Sequence, residues 1–205
     1  LNRYGFEHAS LSGDTRFDRV ADIAHQTRTI DIAEKFCHDH PVVICGSTWF
    51  KDEEILIKYI NQSDSLLKFI IAPHEIHPSH ISKILSALKR PYVKFSEANS
   101  DQLSEKQVLI IDNIGMLSSL YKYGNWAYIG GGFGAGIHNI LEAATFSLPV
   151  VFGPHYSKFK EATDLIQLKG AFSISEYSGL CTVFDSFLTD IDKRENAGKT
   201  AGKYV

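Results

Sequence analysis

The sequence predicts an α/β fold in which helices cover both faces of a parallel sheet. Short apolar runs recur between Val42 and Ile174, and helix-period segments of roughly 10 to 15 residues separate them. Continuous apolar strands are typical of sheets buried on both faces, and strand–helix alternation is typical of parallel connections. We therefore predict a Rossmann-like sheet whose ligands bind outside the carboxyl ends of the strands.

The individual elements follow from the same two patterns, taken in chain order. Apolar runs predict strands at 42–46, 66–72, 92–95, 108–112, 126–129, 150–152 and 171–174. Helical periodicity predicts helices at 20–38, 52–61, 77–89, 115–123, 138–146, 158–168 and 176–188. The polar segment that follows is expected to fray. The chain thus divides into an interdomain segment with a linker helix at 1–38, a ligand-binding domain at 39–190 and a polar C-terminal tail at 191–205.

Composition narrows the class of protein. An apolar content of 44% and a charged content of 22% are ordinary for a soluble globular protein of 205 residues. A net charge of −3 gives no support for nucleic-acid binding. No apolar run approaches the roughly 20 residues of a membrane helix. The three widely spaced cysteines favour a reducing compartment, and because Met116 is the only methionine we expect a longer chain to precede Leu1.

The most unusual stretch is the loop from Gly130 to Gly136, in which five of seven residues are glycine. Glycine lets a backbone adopt positive φ and approach a ligand closely, and the predicted helix that follows would present N–H groups to a phosphate. Gly131, Gly132 and Gly134 are therefore candidate ligand contacts. A dinucleotide fingerprint is excluded because the next strand ends in Phe152-Gly-Pro without an acid, and no Lys-Ser/Thr pair makes a Walker loop. The alternative is a tight turn that binds nothing.

Asn139 and Glu142 are three residues apart and would share one helix face. A carboxylate there suits the two hydroxyls of a ribose, and the alternative is that Glu142 caps the helix. Asn139 either fixes the loop or touches the ligand.

Further candidates follow other strands. Ser47 is a ligand contact or a helix cap, and His74, His138 and His155 are ligand contacts or neutral structural histidines. Lys160 is either part of a solvated helix face or a cation near a sugar acid or diphosphate. His77 and His80 look exposed and lack an acidic partner in the sequence, so no metal site is expected.

The segment from Ala127 to Glu161 carries the most specific pattern. It reads Ala-Tyr-Ile-Gly-Gly, then Gly-x-His-Asn-x-Leu-Glu-x-Ala, Pro-Val-x-Phe-Gly-Pro-His and Phe-Lys-Glu. This pattern resembles the 3-deoxy-D-manno-octulosonic acid (Kdo) transferases of lipopolysaccharide synthesis, which are GT-B glycosyltransferases. Weaker similarities extend the resemblance over most of the chain: 12–18 to the family's interdomain segment, Gly46-Ser-Thr48 with Glu53-Glu54 to its Ser-Thr-x-x-x-Glu-Glu loop, and Asp112-x-x-Gly115 with Leu120-Tyr121 to another loop.

The resemblance implies that the chain is the C-terminal half of a GT-B glycosyltransferase and that 39–190 is its nucleotide-sugar (donor) binding domain. The implied donor is CMP-Kdo and the implied acceptor is the lipid A precursor. The implied CMP contacts are Pro73, His74, Ile114, Gly115, Met116, Asn139, Ile140, Leu141 and Glu142. The chain departs from the family pattern at His74, Met116 and Trp49, where Arg, Glu and His are common.

The resemblance also implies a mechanism and a location. The reaction is inverting, with a glutamate base in an N-terminal acceptor domain that this chain lacks, so we expect the fragment to bind nucleotide without turnover. No cofactor and no metal are expected. The full-length enzyme is expected at the cytoplasmic face of the bacterial inner membrane, in contact with the membrane through the missing part, and the fragment is expected to be soluble.

Two other classes of function remain open from the sequence. One is another GT-B enzyme that uses a UDP-sugar, either a transferase or an epimerase. The other is a non-catalytic nucleotide-binding domain.

Overall fold

The structure is a computed structural model that describes residues 14–63, 66–99 and 102–205, without the side chain of His25. The strands are β1 Val42–Thr48, β2 Lys68–Pro73, β3 Tyr92–Lys94, β4 Val108–Ile110, β5 Trp126–Ile129, β6 Val150–Phe152 and β7 Ala171–Ser173. Each corresponds to a predicted apolar run.

The helices of the described residues are α1 Thr15–His25, α2 Asp31–Cys37, α3 Phe50–Gln62, α4 Pro78–Ala87, α5 Leu117–Leu120, α6 Leu141–Thr145, α7 Lys160–Gln167, α8 Tyr177–Thr189 and α9 Ile191–Tyr204. Short 3-10 turns follow β3 and α5.

The strands form one parallel sheet in the order β3-β4-β2-β1-β5-β6-β7. Strands β2, β4 and β3 lie on one side of β1, and β5, β6 and β7 lie on its other side. The strand order therefore reverses between β1 and β5, and in open α/β sheets a ligand crevice forms outside the carboxyl ends of strands at such a point.

Alternate residues of each strand enter two separate cores, because successive side chains of a strand point to opposite faces. Val42 and Ile44 pack on one face with α2, α6 and α9, whereas Val43 and Cys45 pack on the other with α3, α4 and α8. Both faces of β1 are thus covered, as its continuous apolar sequence predicts, and the predicted fold class is confirmed.

Three predicted helices differ from those observed. The segment 20–38 contains α1, which begins earlier, and α2, with a break between His25 and Asp31. The segment 115–123 is divided between α5 and a 3-10 turn. The helix predicted at 138–146 is only the five residues of α6.

The expectation that the C-terminal tail frays is wrong. Asp190 caps α9 by accepting a hydrogen bond from the Lys193 N–H at 2.8 Å, and Ala197, Gly198 and Ala201 are buried. These small side chains let α9 lie against the loop after α6. The polar composition of the segment reflects the exposed face of a docked helix.

None of the helices in the described residues is long and apolar enough to cross a bilayer. Cys37, Cys45 and Cys181 are free thiols. The sequence similarity predicted for 12–18 begins at residues outside those described.

Candidate active site

The crevice is built where the ends of β1 and β5 meet. Gly130 donates its N–H to the Gly46 carbonyl at 2.9 Å. A Cβ on Gly130 would lie 2.2 Å from the Ser47 carbonyl oxygen, so only glycine lets the two strand ends approach this closely. Ser47 itself has a positive φ of 52°, which an L-residue adopts rarely, and the pairing of β1 with β2 shifts register at this residue.

Most glycines of the loop have a structural reason. Gly131 and Gly136 have φ values of 92° and 143°, and a Cβ on Gly132 would lie 2.6 Å from the Gly153 nitrogen. Gly134 has neither a positive φ nor a close neighbour, since its nearest Cβ contact would be 3.5 Å away. The number of glycines is therefore explained largely by packing, and phosphate binding is not needed to account for it.

The loop also presents fewer backbone donors than the sequence predicts. The Gly131 N–H is already bonded to the Asp52 carboxylate at 2.9 Å, in a buried setting. The Gly134 and Gly136 N–H groups both donate to the Gly131 carbonyl. Because α6 starts at Leu141, five residues after the loop ends, the loop does not lead directly into a helix N-terminus. The predicted loop-to-helix phosphate cradle is wrong in this respect.

Asp52 is a residue of the crevice whose role the sequence patterns did not predict. It is 1% exposed, and its carboxylate accepts hydrogen bonds from the Tyr128 hydroxyl at 2.7 Å, the Gly131 N–H at 2.9 Å and the Trp49 N–H at 3.0 Å. One side chain thereby joins β5, the glycine loop and the start of α3. Burial and the neighbouring Asp52 raise the pKa of Tyr128 well above its ordinary value, so the hydroxyl remains a donor.

The second buried carboxylate is Glu53, 3% exposed, which accepts from the Thr48 hydroxyl at 3.0 Å and contacts His80 at 3.0 Å. The expectation that His80 is exposed and lacks an acidic partner is wrong, because its side chain is 16% exposed and paired with Glu53. Glu54 is exposed. The pair assigned above to the Ser-Thr-x-x-x-Glu-Glu pattern is wrong by one position, because three residues separate Thr48 from Asp52-Glu53 and four separate it from Glu53-Glu54.

Three rings from three segments stack at the mouth of the crevice. Trp49 and His138 lie nearly in one plane, and the His74 ring stacks over both, with its centroid 4.4 Å from that of Trp49 and 4.5 Å from that of His138. Trp49 Nε1 donates to His138 Nε2 at 2.9 Å. Burial, and secondly the neighbouring His74, lower the pKa of His138 against the opposing influence of Asp52, which keeps the acceptor nitrogen unprotonated.

The stack separates two cavities. On one side is the small pocket, of about 180 Å³, lined by Ser47, Pro73, His74, Asn113 to Leu117 and neighbouring strand ends. On the other is the apolar pocket, of about 540 Å³, lined by Trp49, Phe50, Phe133 and His138 together with Lys51, Asp52, Gly131 and 134–136. A third cavity, a groove of about 470 Å³ between α3 and α4, lies outside the crevice.

Glu142 is half-buried near the small pocket. It contacts Ser118, the residue that follows Leu117 in the pocket lining. Its carboxylate accepts from the Ser118 hydroxyl at 2.8 Å and from the Asn139 amide at 3.2 Å. Asn139 also accepts the Leu141 N–H at 3.1 Å, so it fixes the start of α6 and orients Glu142 at the same time. Both carboxylate oxygens are held, yet each retains lone pairs for a further donor.

The structure brings most of the predicted site residues together and separates a few. Ser47, Pro73, His74, Ile114, Gly115 and Met116 line the small pocket, and Gly131, Gly134 and His138 line the apolar pocket. Gly132 lies in the same loop and packs against Gly153. Ile140 and Leu141 have fully buried side chains, so only their backbone atoms could contact a ligand.

Two predicted site residues have structural roles. His155 contacts the Gly134 carbonyl at 2.7 Å through Nδ1 and donates its backbone N–H to the Gly132 carbonyl at 2.8 Å, which ties it to the loop. Lys160 is 83% exposed and paired with Asp164 on the same helix, which agrees with the solvated-face interpretation. Among the described residues no group of three or more metal-ligating side chains converges.

No protein-family model matches the chain. Its sequence is 30% identical over 209 residues to the 3-deoxy-D-manno-octulosonic acid transferase of Rickettsia felis, with 97% of this chain and 45% of the relative covered. The enzyme of the same name from Rickettsia bellii is 29% identical, with 95% and 47% covered. The chain thus spans about half the length of the curated relatives it matches.

The fold is similar to that of the C-terminal CMP-Kdo binding domain of WaaA from Acinetobacter baumannii. The TM-score is 0.69 at 24% identity, with 93% of this chain and 98% of that domain covered. The class of fold is therefore the Rossmann-like one found in the C-terminal halves of GT-B glycosyltransferases. The particular relatives are the Kdo transferases, to which the chain is homologous over nearly all of its length, and the resemblance predicted from the motifs is confirmed.

Proposed function

We propose that this chain binds CMP-Kdo as the donor half of a Kdo transferase. The observation that carries the proposal is the Glu142 carboxylate, held by Ser118 and Asn139 beside the small pocket at the strand-order reversal. A carboxylate with both oxygens fixed is suited to accept two adjacent ribose hydroxyls, because its orientation is set before the ligand arrives. The names of the sequence relatives support Kdo as the sugar, and the similar CMP-Kdo binding domain supports cytidine monophosphate as the nucleotide.

The small pocket suits the nucleoside part of such a donor. Its lining includes the turn from Asn113 to Met116 and the His74 side of the ring stack. Gly115 has a φ of 88° and its Cβ position is free of neighbours within 4 Å, so the turn there is open to a ligand. In this proposal the base is contacted by backbone groups of Ile114, Gly115 and Met116. Nucleotide binding then does not depend on the side chain at position 116, where this chain has Met and the family commonly has Glu.

Transfer is proposed for the whole protein. The acceptor hydroxyl of the lipid A precursor attacks the anomeric carbon of Kdo, and the bond to the CMP phosphate breaks with inversion. The general base belongs, in this proposal, to the N-terminal half that the relatives possess beyond this match, and so does contact with the cytoplasmic face of the inner membrane. No metal or cofactor is needed if hydrogen-bond donors of the crevice stabilise the leaving phosphate.

Calorimetric titration of the chain with CMP and with UMP tests the proposal. We expect CMP to bind and UMP to bind more weakly. Glu142→Ala should lower the affinity for CMP about 10- to 100-fold, the loss expected when hydrogen bonds to a charged group are removed. Glu54→Ala, which removes an exposed carboxylate from α3, is the matched control and should leave the affinity unchanged.

Equal affinity for CMP and UMP would contradict the cytidine assignment and favour a UDP-sugar enzyme. An unchanged affinity in Glu142→Ala would remove the ribose role of this residue. The chain alone should show no transfer of Kdo to a lipid A precursor in a radiolabel assay, and measurable turnover would overturn the placement of the base.

A further inference from the structure

The apolar pocket is a second cavity that the nucleotide does not occupy in the proposed function. It lies across the ring stack from the small pocket and has a volume of about 540 Å³, within the range of ligand-binding cavities. Trp49, at 38% exposure, and Phe50, at 57%, stand together at its edge, and Phe133 contributes a third aromatic ring. Adjacent exposed aromatic residues that line one cavity mark a binding surface.

Most polar atoms of the side chains that line the apolar pocket are already engaged. Asp52 accepts three hydrogen bonds from the protein, and His138 Nε2 accepts one from Trp49. A sugar placed here would leave most of its hydroxyls without side-chain partners, which a binding site for a polar ligand cannot tolerate. An apolar occupant meets no such penalty.

The charged group that remains is Lys51, which is exposed and lines the pocket. Across the described ranges, no carboxylate forms an ion pair with it. A cation beside an apolar cavity complements a ligand with an anionic head and an apolar body.

We propose that the apolar pocket binds the aliphatic chain of a single anionic amphiphile, with Lys51 contacting its head group. Phe50 and Phe133 would pack against the chain, and Trp49 would form the wall shared with the nucleotide side. This proposal goes beyond donor binding and does not require it, because no residue of Asn113 to Met116 takes part.

Trp49 provides a direct readout. The other tryptophan, Trp126, is fully buried against Phe184 and Phe187, so a ligand in the pocket changes the emission of Trp49 only. We expect dodecyl phosphate, titrated below its micelle concentration, to shift that emission to shorter wavelength in a saturable manner with one molecule per chain. The shift should be absent in Trp49→Phe and should occur with or without CMP.

Variants separate the two parts of the interaction. Lys51→Glu should weaken dodecyl phosphate binding about tenfold or more, because it replaces attraction by repulsion. Phe133→Ser should weaken it similarly, whereas Phe133→Leu, which keeps an apolar lining, should retain it. Lys83→Glu on α4 and Leu168→Ser after α7 change exposed residues outside the pocket and serve as matched controls.

Several outcomes would overturn the proposal. These are the absence of a saturable shift below the micelle concentration, an undiminished shift in Lys51→Glu, and an equal response to dodecyl maltoside. A shift produced by free Kdo instead of dodecyl phosphate would assign the pocket to the sugar. Concentration-dependent dimerisation that Phe50→Ser abolishes, without amphiphile binding, would assign it to a second copy of the chain. Since CMP binding is measured separately, failure here leaves the donor proposal standing, and the reverse also holds.

Discussion

The Asp52 carboxylate connects three segments that are distant in sequence. Its donors are the Trp49 N–H, the Tyr128 hydroxyl and the Gly131 N–H, and all are buried or partly buried. A carboxylate that accepts several hydrogen bonds away from water is stable because each donor replaces a lost water. The shape of the glycine loop therefore depends on a residue that precedes Gly131 by 79 positions.

Replacing Asp52 by Ala should lower the free energy of unfolding by about 3 kcal/mol or more, because it leaves buried donors without acceptors. Glu54→Ala, two residues away on the exposed face of α3, should change it by less than about 0.5 kcal/mol. Urea denaturation monitored by circular dichroism measures both. Similar small changes in the two variants would show that the carboxylate does not hold the loop.

His138 gives the crevice a pH dependence. Burial and His74 lower its folded-state pKa below the unfolded value of about 6.5, so the unfolded chain binds this proton more readily. The contribution of His138 to stability is therefore complete above about pH 6.5 and is lost as pH falls through the lowered pKa. Protonation of Nε2 also breaks the bond from Trp49 Nε1, which needs a free lone pair.

We expect Trp49 emission to change on acidification with a midpoint below about pH 6.5, together with the His138 ring signals in NMR titration. His138→Gln should abolish this transition. A midpoint at or above the ordinary histidine value would contradict the burial of the ring.

At the scale of elements, α6 and α9 show how packing overrides local pattern. The periodicity of 138–146 favours a helix of nine residues, but the first three are not helical. The His138 N–H donates to the Gly130 carbonyl of the loop at 3.1 Å, and the Asn139 side chain accepts the Leu141 N–H at the start of α6. The helix α9 has a polar sequence and is nevertheless docked. Its Gly198 and Gly202 approach Ser147 so closely that a Cβ would lie 2.2 Å and 2.3 Å from Ser147 oxygen atoms.

Gly198→Ala should reverse the usual effect of this substitution in a helix. Glycine-to-alanine changes commonly stabilise a helix by up to about 1 kcal/mol. Here the added methyl group would meet the Ser147 carbonyl, so we expect destabilisation of about 1 to 3 kcal/mol. Gly179→Ala in α8, where the nearest atom is 3.5 Å away, should be neutral or stabilising. Thermal unfolding of both variants decides whether α9 is docked as described.

At the scale of the whole molecule, helix α1 is tied to α7 and α9. Arg16 Nη1 donates to Glu161 Oε1 at 2.7 Å, and the Glu161 side chain is only 4% exposed. Phe17 contacts the Tyr204 ring of α9, with centroids 5.8 Å apart. The segment predicted as a linker thus rests on α7 and α9, and Glu161 of the Phe-Lys-Glu motif has a structural partner.

Removing the Arg16 side chain should leave the buried Glu161 carboxylate without its cation and destabilise the packing of α1 by about 1 to 3 kcal/mol. We expect Arg16→Ala to raise amide hydrogen exchange across α1 while the strands keep their protection. Arg19→Ala, on the exposed side of the same helix, is the control. Unchanged exchange in Arg16→Ala would show that other contacts hold the helix.

The positions of the strands and much of the candidate site follow from the sequence. Apolar runs fix each strand locally, and parallel strands bring residues at their carboxyl ends to one edge, which is why Ser47, His74 and the glycine loop could be predicted to converge. The motif that contains His138, Asn139 and Glu142 could be recognised from the sequence because its residues are contiguous in the chain. Periodicity failed where a residue had two competing uses, as in the first turn predicted for α6.

By itself the sequence determined the α/β class, the order of strands along the chain, the glycine loop and the resemblance to the Kdo transferases, because each is encoded in neighbouring residues. Only the tertiary structure decided that Asp52 occupies a loop donor, that Trp49, His74 and His138 stack, and that α9 docks. These features join segments far apart in the chain, and their energies come from burial and mutual hydrogen bonding. Local pattern carries no record of either.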